Sequence, residues 1–461
     1  MLTSTLIPCL LATLLSPAAP ADPPNLLIIL ADDVGVDNVG VYAEGPNPPD
    51  TPTIDLLARH GVLFRNAWSN PLCSPTRAGI HTGRYSFRTG VGTVIVDSGS
   101  NVLPLEEVTL PELFDLRPEL GYRHALIGKW HLGATEEIGG AAAPQAAGWS
   151  HHAGTLTAIA APQTYSNYLL TIDGVTQVST EYATSESVDL ALEWVAENRD
   201  QPWLMLLAFN AAHQPFHAPP KDLHDEDLPI GGPLAPRINP KPYYNAMVTA
   251  MDTEISNLLR GLGSELDNTT IFFLGDNGTP NQVAEDPFLP THAKATPFEG
   301  GINVPLIVAG RGVTRPGREV EHLVHTTDLF STCADLAGID LAATLPDDRI
   351  IDSVSMTPYL ARPNAAPRRS TVFSELFLED EDAPAIQTMR DARFKLIRVD
   401  GSNGNFDLLF DLENDPFEEN NLLRNGPAGL DALAAAHYAF LSLELESLLA
   451  TGDDGSEMAG Q

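Results

Sequence analysis

The chain has 461 residues, with 26 Lys and Arg against 61 Asp and Glu, so its formal net charge is −35 at pH 7. Hydrophobic residues make up 43% of the chain, which excludes a disordered or collagen-like protein, and the length predicts two compact units. So negative a chain disfavours nucleic acid and anionic membranes as partners, and an anionic substrate would need a local cationic pocket.

The N-terminus predicts an export signal. Residues 1–21 contain no charged side chain, and the apolar run from Leu6 to Leu15 is shorter than the ~20 residues that span a bilayer. The segment 19–21, Ala-Pro-Ala, has the small-x-small pattern of a signal-peptidase site, although a Lys or Arg near the start is missing. We therefore expect removal of residues 1–21 and a periplasmic or secreted mature protein without a membrane span.

Short apolar runs alternate with helical patterns up to about residue 345. Continuous apolar strands between helices are typical of a parallel sheet that is covered on both faces. We therefore expect an α/β fold with a large mixed, mostly parallel sheet and helices on both faces. The predicted strands are 26–30, 64–68, 124–127, 204–209 and 270–274, and the predicted helices are 53–60, 185–198 and 245–262.

The pattern changes after about residue 346, where short strands are joined by turns. We expect a catalytic α/β domain over residues 22–345 and a C-terminal α+β subdomain over residues 346–461. The subdomain would hold a small antiparallel sheet covered by one helix. Its predicted strands are 371–378, 385–389, 394–399 and 407–412, followed by a helix at 430–449.

Polar side chains follow each predicted strand of the large sheet. Ligands of open α/β sheets bind outside the carboxyl ends of the strands, so five such strand ends predict one site. Each cluster alone would also fit a turn or a helix cap. The side chains are Asp32 and Asp33, Cys73 and Arg77, Lys129 and His131, His213, and Asp276 and Asn277.

The three cysteines leave two interpretations open. Cys9 would depart with the signal, and Cys73 could form a disulfide with Cys333 in an oxidising compartment. Cys333 lies in a helical pattern, which favours a buried small hydrophobic residue. Cys73 lies in a polar loop with two prolines and needs another explanation.

Several motifs carry a resemblance to a known family. Residues 71–84, PLCSPTRAGIHTGR, resemble the sulfatase signature Cys-x-Pro-x-Arg with its Thr-Gly-Arg ending, and residues 128–133, GKWHLG, resemble the second signature. The resemblance extends from Asn25 to about Asn421. The other motifs follow in family order: Asp32-Asp33, Asp276-Asn277-Gly278, and Lys294 ahead of Glu299-Gly300-Gly301. Among several departures, His81 and Asn303 are unusual at their positions.

The resemblance implies that Cys73 is oxidised to formylglycine by a formylglycine-generating enzyme that reads the motif. The hydrated aldehyde would supply the nucleophilic oxygen, and its second hydroxyl would later expel sulfate by C–O cleavage. Pro75 suits the first turn of a helix, where free backbone NH groups favour an anion.

The resemblance also implies one calcium ion per chain. Asp32, Asp33, Asp276 and Asn277 would hold it together with residue 73, and such an oxygen-rich set suits a hard cation that polarises the sulfate. With this ion and the cations Arg77, Lys129 and Lys294, the pocket would carry a charge of +2 before substrate binds.

The remaining roles are carried over from the family to matching positions. Arg77 would anchor the hydrate, Lys129 would bind hydrate and sulfate, and His131 would take the hydrate proton that releases sulfate. His213 would bind the bridging oxygen and help to protonate the leaving group, and Lys294 would assist it.

These features predict a sulfatase that hydrolyses a sulfate monoester of a sugar or an aryl alcohol. The alternative is a phosphonate monoester or phosphodiester hydrolase of the same superfamily, which usually places a histidine where this chain has Asn277. A non-catalytic carbohydrate-binding relative would lack Cys73, Lys129 or His131. The leaving group is less defined: we predict substrate contacts for Trp149, His151 and His152, with core packing as the open alternative.

Overall fold

The structure is a computed structural model that describes residues 23–96, 102–229, 234–378, 383–401 and 404–452. The predicted signal peptide, with Cys9, lies outside the described residues. Within those ranges, no helix is both long and apolar enough to cross a bilayer.

Strands of three sheets alternate with helices along the chain. They are β1 (Asn25–Ala31), β2 (Gly61–Phe64), β3 (Ala67–Trp68), β4 (Arg123–Lys129), β5 (His151–Thr155), β6 (Tyr168–Ile172), β7 (Val175–Ser179), β8 (Trp203–Ala208), β9 (Thr269–Gly275), β10 (Leu306–Gly310), β11 (Arg318–Val320), β12 (Val324–His325), β13 (Val372–Leu376), β14 (Ala385–Arg390), β15 (Phe394–Asp400) and β16 (Phe406–Asp411).

The α-helices, in chain order, are α1 (Pro52–Arg59), α2 (Cys73–Thr82), α3 (Ser86–Thr89), α4 (Leu110–Asp115), α5 (Ala143–Ala146), α6 (Ala183–Asn198), α7 (Ala235–Ile238), α8 (Pro240–Leu262), α9 (Glu299–Ile302), α10 (Asp328–Ala337), α11 (Leu341–Thr344), α12 (Thr357–Ala361) and α13 (Ala432–Ala450).

The main sheet has ten strands in the described part of the chain, in the order β11-β2-β10-β9-β1-β8-β4-β5-β6-β7. Its centre, from β9 to β5, is parallel, whereas β10 and the hairpin strand β6 run antiparallel to their neighbours. Parallel strands end at the same edge, so the segments that follow β1, β4, β8 and β9 meet there.

Helices cover both faces of this sheet. Because successive strand side chains point to opposite faces, Leu27 and Ile29 of β1 pack with α1, α6 and α8, whereas Leu26 and Ile28 pack with α2, α4 and α10. The large mixed, mostly parallel sheet and its helical layers are therefore confirmed.

The C-terminal sheet is a separate antiparallel meander, β13-β14-β15-β16, within the residues described. Helix α13 packs Leu441 and Leu445 against Leu396 and Leu409 of this sheet. The predicted small antiparallel sheet with one covering helix is confirmed, while the boundary at residue 346 stays a prediction.

A buried ion cluster joins this sheet to the start of α9. Lys395 of β15, with 0% of its side chain exposed, lies 3.1 Å from Glu299 Oε1 and 2.7 Å from Glu418 Oε1. The backbone NH of Glu299 donates to Glu418 Oε2 at 2.5 Å, and Trp68 Nε1 donates to Glu299 Oε1. The start of α9 is thus attached to the C-terminal sheet.

One predicted strand, 64–68, was wrong as a single element. Strand β2 ends at Phe64, which pairs with Leu306, and the chain then forms β3, which pairs with β12 in a second small sheet. The apolar run continues across this change of partner, so the break has no signal in hydrophobicity alone.

The two described cysteines are both free thiols. Cys333 lies in α10 with 0% exposure among the core residues Leu329, Phe330 and Ala334, as expected for a small hydrophobic residue. No disulfide joins it to Cys73, which begins α2 at the carboxyl edge of the sheet.

Candidate active site

Two neighbouring strand ends supply the acidic side chains of the site. Asp32 and Asp33 follow β1, and Asp276 and Asn277 follow β9, its parallel neighbour. The backbone NH of Asp276 donates to Ala31 O at 3.0 Å, which fixes the two chain exits side by side. The structure thus brings together four predicted oxygen donors, all at most 2% exposed.

Cys73, the first residue of α2, lies against these carboxylates. Its Sγ is 3.4 Å from Asp32 Oδ1 and 3.9 Å from Asp33 Oδ1. One ligand atom from each of Asp32, Asp33, Cys73 and Asp276 lies within 4.8 Å of the others. Such a convergence of buried like charges is the donor arrangement that a cation stabilises.

An orphaned oxygen completes the donor set. Asn277 donates its Nδ2 to Asp33 Oδ1 at 2.8 Å, while its Oδ1 is buried and has no hydrogen-bond partner in the described residues. An unpaired buried carbonyl is costly unless a cation or water binds it. The residues present therefore fit a hard divalent cation.

Three cationic side chains surround the carboxylates. Arg77 is 1% exposed and donates Nη2 and Nε to Asp276 Oδ2 at 2.8 and 3.2 Å. Lys129 donates to Asp32 Oδ2 at 2.5 Å. Lys294 donates to Asp33 Oδ1, and its Nζ is 3.5 Å from Cys73 Sγ. The three lysine and arginine charges balance the three aspartates.

These charges alter the acid–base behaviour of the cluster. Burial alone would raise the pKa of Asp32, but Lys129 and His213 lower it below its ordinary value. Burial likewise opposes Lys294 at Asp33, whose pKa is also lowered. Burial, with Asp276 and Asp32, raises the pKa of the Cys73 thiol. As an unmodified cysteine, residue 73 would therefore be protonated and a poor nucleophile near neutral pH.

The two predicted histidines approach the cluster from different segments. His131 lies two residues beyond Lys129 with a φ of 60°, and its buried Nδ1 has no described hydrogen-bond partner. Burial, followed by the charge of Lys129, lowers its pKa well below the ordinary value. His213 is part-exposed, with Nε2 4.0 Å from Asp33 Oδ2.

Three predicted substrate residues are not brought to the cluster. Trp149 is 1% exposed in the core under α2, where its Nε1 donates to His81 Nε2 at 3.1 Å. His151 pairs with Ala125, four residues before the end of β4, and its ring contacts Asp173. His152, the next residue of β5, is fully buried. These side chains lie toward the amino edge of the sheet, and the burial of Trp149 and His152 favours the core-packing alternative, while the substrate contacts stay a prediction.

The unusual His81 lies on the buried side of α2 and ties the helix to Trp149. Its Nε2 accepts from the Trp149 indole, which can only donate, so Nδ1 donates to Arg77 O at 2.7 Å. Burial is the main cause that lowers the pKa of His81 to about 4, so the ring stays neutral in this position.

Several polar residues that support the site were not predicted. Tyr244 donates its hydroxyl to Asp33 O at 2.8 Å, and Tyr165 donates to Asn210 O and His213 O at 2.5 and 2.7 Å. Asn210 follows β8 and accepts at Oδ1 from Thr155. Its place after an apolar strand is the same signal that identified Asp32, whereas the tyrosines carry no comparable signal.

A cleft of about 560 Å³ opens beside His213. It is lined by Ala160, Ala161, His213, Gln214, Pro215, Phe216, Pro236, Arg237, Pro240 and Gln282. Its volume falls within the range of small-molecule sites.

Comparison with known proteins gives consistent matches. Residues 24–339 match the family model described as Sulfatase, and residues 292–432 match N-sulphoglucosamine sulphohydrolase, C-terminal. N-acetylgalactosamine-6-sulfatase of Homo sapiens is 31% identical over 368 residues, which cover 73% of this chain and 66% of that protein. Steryl-sulfatase of Rattus norvegicus is 29% identical, with coverage of 77% and 74%.

A solved structure is also similar over nearly the whole chain. The crystal structure of Ps i-CgsB superposes with a TM-score of 0.76 at 26% identity and covers 94% of each chain. The PsFucS1 sulfatase from Pseudoalteromonas sp. has a TM-score of 0.73 at 22% identity, covers 94% of this chain and 92% of its own, and shares the fold.

Proposed function

The chain belongs to the sulfatase family, and on that premise we propose that it hydrolyses a sulfate monoester at the cluster around residue 73. The observation that carries the proposal is the contact of Cys73 with Asp32 and Asp33 inside a ring of three cations. A chain could keep the sequence motif around residue 73 and lack the groups that act with it. Here the Cys73 side chain lies among the other candidate catalytic groups.

The proposed metal is one calcium ion, held by Asp32, Asp33, Asp276, Asn277 and the oxygen of a modified residue 73. Support comes from the convergent carboxylates and from the orphaned Asn277 Oδ1. Carboxylate and amide oxygens without imidazole favour Ca²⁺ over transition metals. When bound, the ion would neutralise carboxylate charge and polarise the sulfate.

Residue 73 is proposed to act after oxidation to formylglycine by a formylglycine-generating enzyme. The hydrated side chain supplies a nucleophilic oxygen and a second hydroxyl through which sulfate can leave. Its position at the N-terminus of α2 directs backbone NH groups toward an anion. Arg77, on the same helix, holds the neighbouring Asp276 in place through two hydrogen bonds.

Lys129 is proposed to bind the hydrate and the sulfate, and Lys294 to assist His213 at the leaving group. Both ammonium groups contact the cluster, and Lys294 lies 3.5 Å from Cys73 Sγ. His131 is proposed to accept the proton of the hydroxyl that releases sulfate, and His213, at the cleft, to protonate the leaving oxygen. With calcium the cluster would be positive, which attracts a sulfate ester despite the net charge of −35.

The substrate is proposed to be a sulfated sugar or an aryl sulfate. Among the relatives, one is named for N-acetylgalactosamine 6-sulfate, and Ps i-CgsB has been solved with k-i-k-neocarrahexaose. We also propose that the protein is exported to the periplasm or out of the cell.

The test is to coexpress the chain with a formylglycine-generating enzyme and to assay release of inorganic sulfate from aryl and defined sugar sulfates. Mass spectrometry should find an aldehyde at residue 73, and a chelator should suppress turnover that Ca²⁺ restores. Cys73→Ala is the matched inactive control. Activity of the unmodified thiol would refute the proposal, and Zn²⁺-dependent hydrolysis of an aryl phosphonate monoester or a phosphodiester, without sulfate release from any sulfate ester, would favour the phosphonate or phosphodiester hydrolase.

A further inference from the structure

The residues that line the cleft beside His213 differ in charge from the chain as a whole. Although the chain contains 61 Asp and Glu, no carboxylate lines the cleft among the described residues. Apart from His213, the ionisable lining side chain is Arg237, on α7. The local field at this mouth therefore opposes the negative field of the whole molecule.

The wall of the cleft is tied to the catalytic cluster. Phe216 packs edge-to-face on Tyr244 with ring centroids 5.9 Å apart, and Tyr244 donates its hydroxyl to Asp33 O. Pro215 follows the pair His213-Gln214 in the same wall. A leaving group whose ester is bound at the cluster would pass His213 and lie along this wall toward Arg237.

The Arg237 guanidinium has no partner among the described residues. It makes no hydrogen bond or ion pair with any side chain or carbonyl that the structure describes, and the residue is exposed. Lys241, one turn later, differs: it donates to Asn38 Oδ1 at 2.7 Å and lies 3.9 Å from Glu285. An arginine fork without a partner is suited to bidentate contact with a carboxylate or sulfate.

We propose that Arg237 binds a second anionic group of the substrate, so that the preferred substrate is a sugar that carries the scissile sulfate and a further sulfate or carboxylate. This inference rests on the proposed function for the position of the ester. It adds the chemical class of the leaving group and one residue that selects it.

The experiment compares Arg237→Gln with the wild type and with Arg199→Gln, whose exposed arginine lies at the end of α6 away from the cleft. Each variant lowers the net charge by one, so a difference between them reports local contact. Calorimetric affinities would be measured for galactose 6-sulfate, galactose 4,6-disulfate and a disaccharide with one sulfate and one uronate. The binding measurements would use calcium-loaded protein in which Cys73→Ala prevents turnover, and sulfate release would be assayed with formylglycine-containing, calcium-loaded protein, both at low and physiological salt.

The wild type and Arg199→Gln should bind one of the dianionic sugars roughly tenfold or more tightly than the monosulfate, and Arg237→Gln should lose that preference. Loss for the disulfate alone or the uronate alone identifies the second group. Equal affinities in the wild type, or a preference retained by Arg237→Gln, would overturn the inference. Failure of the proposed function would appear separately, as no sulfate release from any sugar regardless of these affinities.

Discussion

Replacement of Lys294 by methionine should produce a calcium-dependent loss of stability. Lys294 Nζ contacts Asp33 Oδ1 and is close to Cys73 Sγ. Without calcium, three buried aspartates would then share two cations. With calcium bound, the ion supplies positive charge at the same carboxylates, and the missing ammonium no longer repels it.

The magnitude follows from burial and distance. Removal of one partner from a buried ion pair costs about 3–5 kcal/mol. Because the Lys294 side chain is 15% exposed, we expect Lys294→Met to lose about 3 kcal/mol, at the lower end of this range. One ammonium near 4 Å contributes about 4 kcal/mol at an effective dielectric constant of 20, which bounds the effect. In saturating calcium we expect the loss to fall to about 1 kcal/mol or less.

The control is Arg398→Met, which removes a cation of similar exposure, 17%, from Asp407 in the C-terminal sheet and does not contact the segment of Lys294. The free energy of unfolding would be measured by urea titration in EDTA and in millimolar CaCl₂. Arg398→Met should lose the same amount in both. If Lys294→Met also loses the same amount in both, calcium does not bind at these carboxylates and the electrostatic reasoning fails.

Three further outcomes are expected. Burial raises the pKa of Glu375 to about 8, so wild-type stability should fall as pH rises from about 4.5 to 8, because the unfolded carboxyl releases its proton first; Glu375→Gln should remove this dependence, at most about 5 kcal/mol, in unfolding titrations across pH. An unchanged pH slope would disprove it. His131→Ala should lower kcat by roughly 10²- to 10⁴-fold while leaving calcium-dependent stabilisation intact, and a near-normal kcat would exclude its proton-transfer role. Cys333→Ser should lower the free energy of unfolding by about 1–3 kcal/mol, because it buries a hydroxyl among apolar side chains, and it should cost more than Cys333→Ala. Equal unfolding midpoints of the two variants would contradict this reasoning.

Much of the central sheet could be predicted because its strands are continuous apolar runs. The predicted segment 270–274 falls inside β9, and 204–209 differs from β8 by one residue at each end. Strand β10, the edge strand β11 and the hairpin β6–β7 were not predicted. Their pairing depends on partners distant in sequence, which a local pattern does not contain.

The cluster was predicted from residues that follow strands, whereas the predicted substrate contacts of Trp149, His151 and His152 did not rest on that rule. Lys129 and Asp276 lie at carboxyl ends, so the parallel register collects them. His151 begins β5 instead of following it, and one strand length separates the two edges of a sheet. A polar residue before a strand and one after it look alike in sequence until the strand's limits are known.

The attachment of α9 to Lys395 has a genetic consequence. Lys294 and Glu299 belong to one short segment, and that segment is held by the last third of the polypeptide. A premature stop codon after residue 345 would leave every proposed ligand and histidine in the chain. It would nevertheless remove the contacts that hold the segment from Lys294 to Glu299, which places Lys294 near residue 73. Recombination that exchanges the C-terminal sheet between homologous genes should therefore be tolerated only when the crossover lies before Lys294, because the segment and the sheet that holds it then come from the same gene.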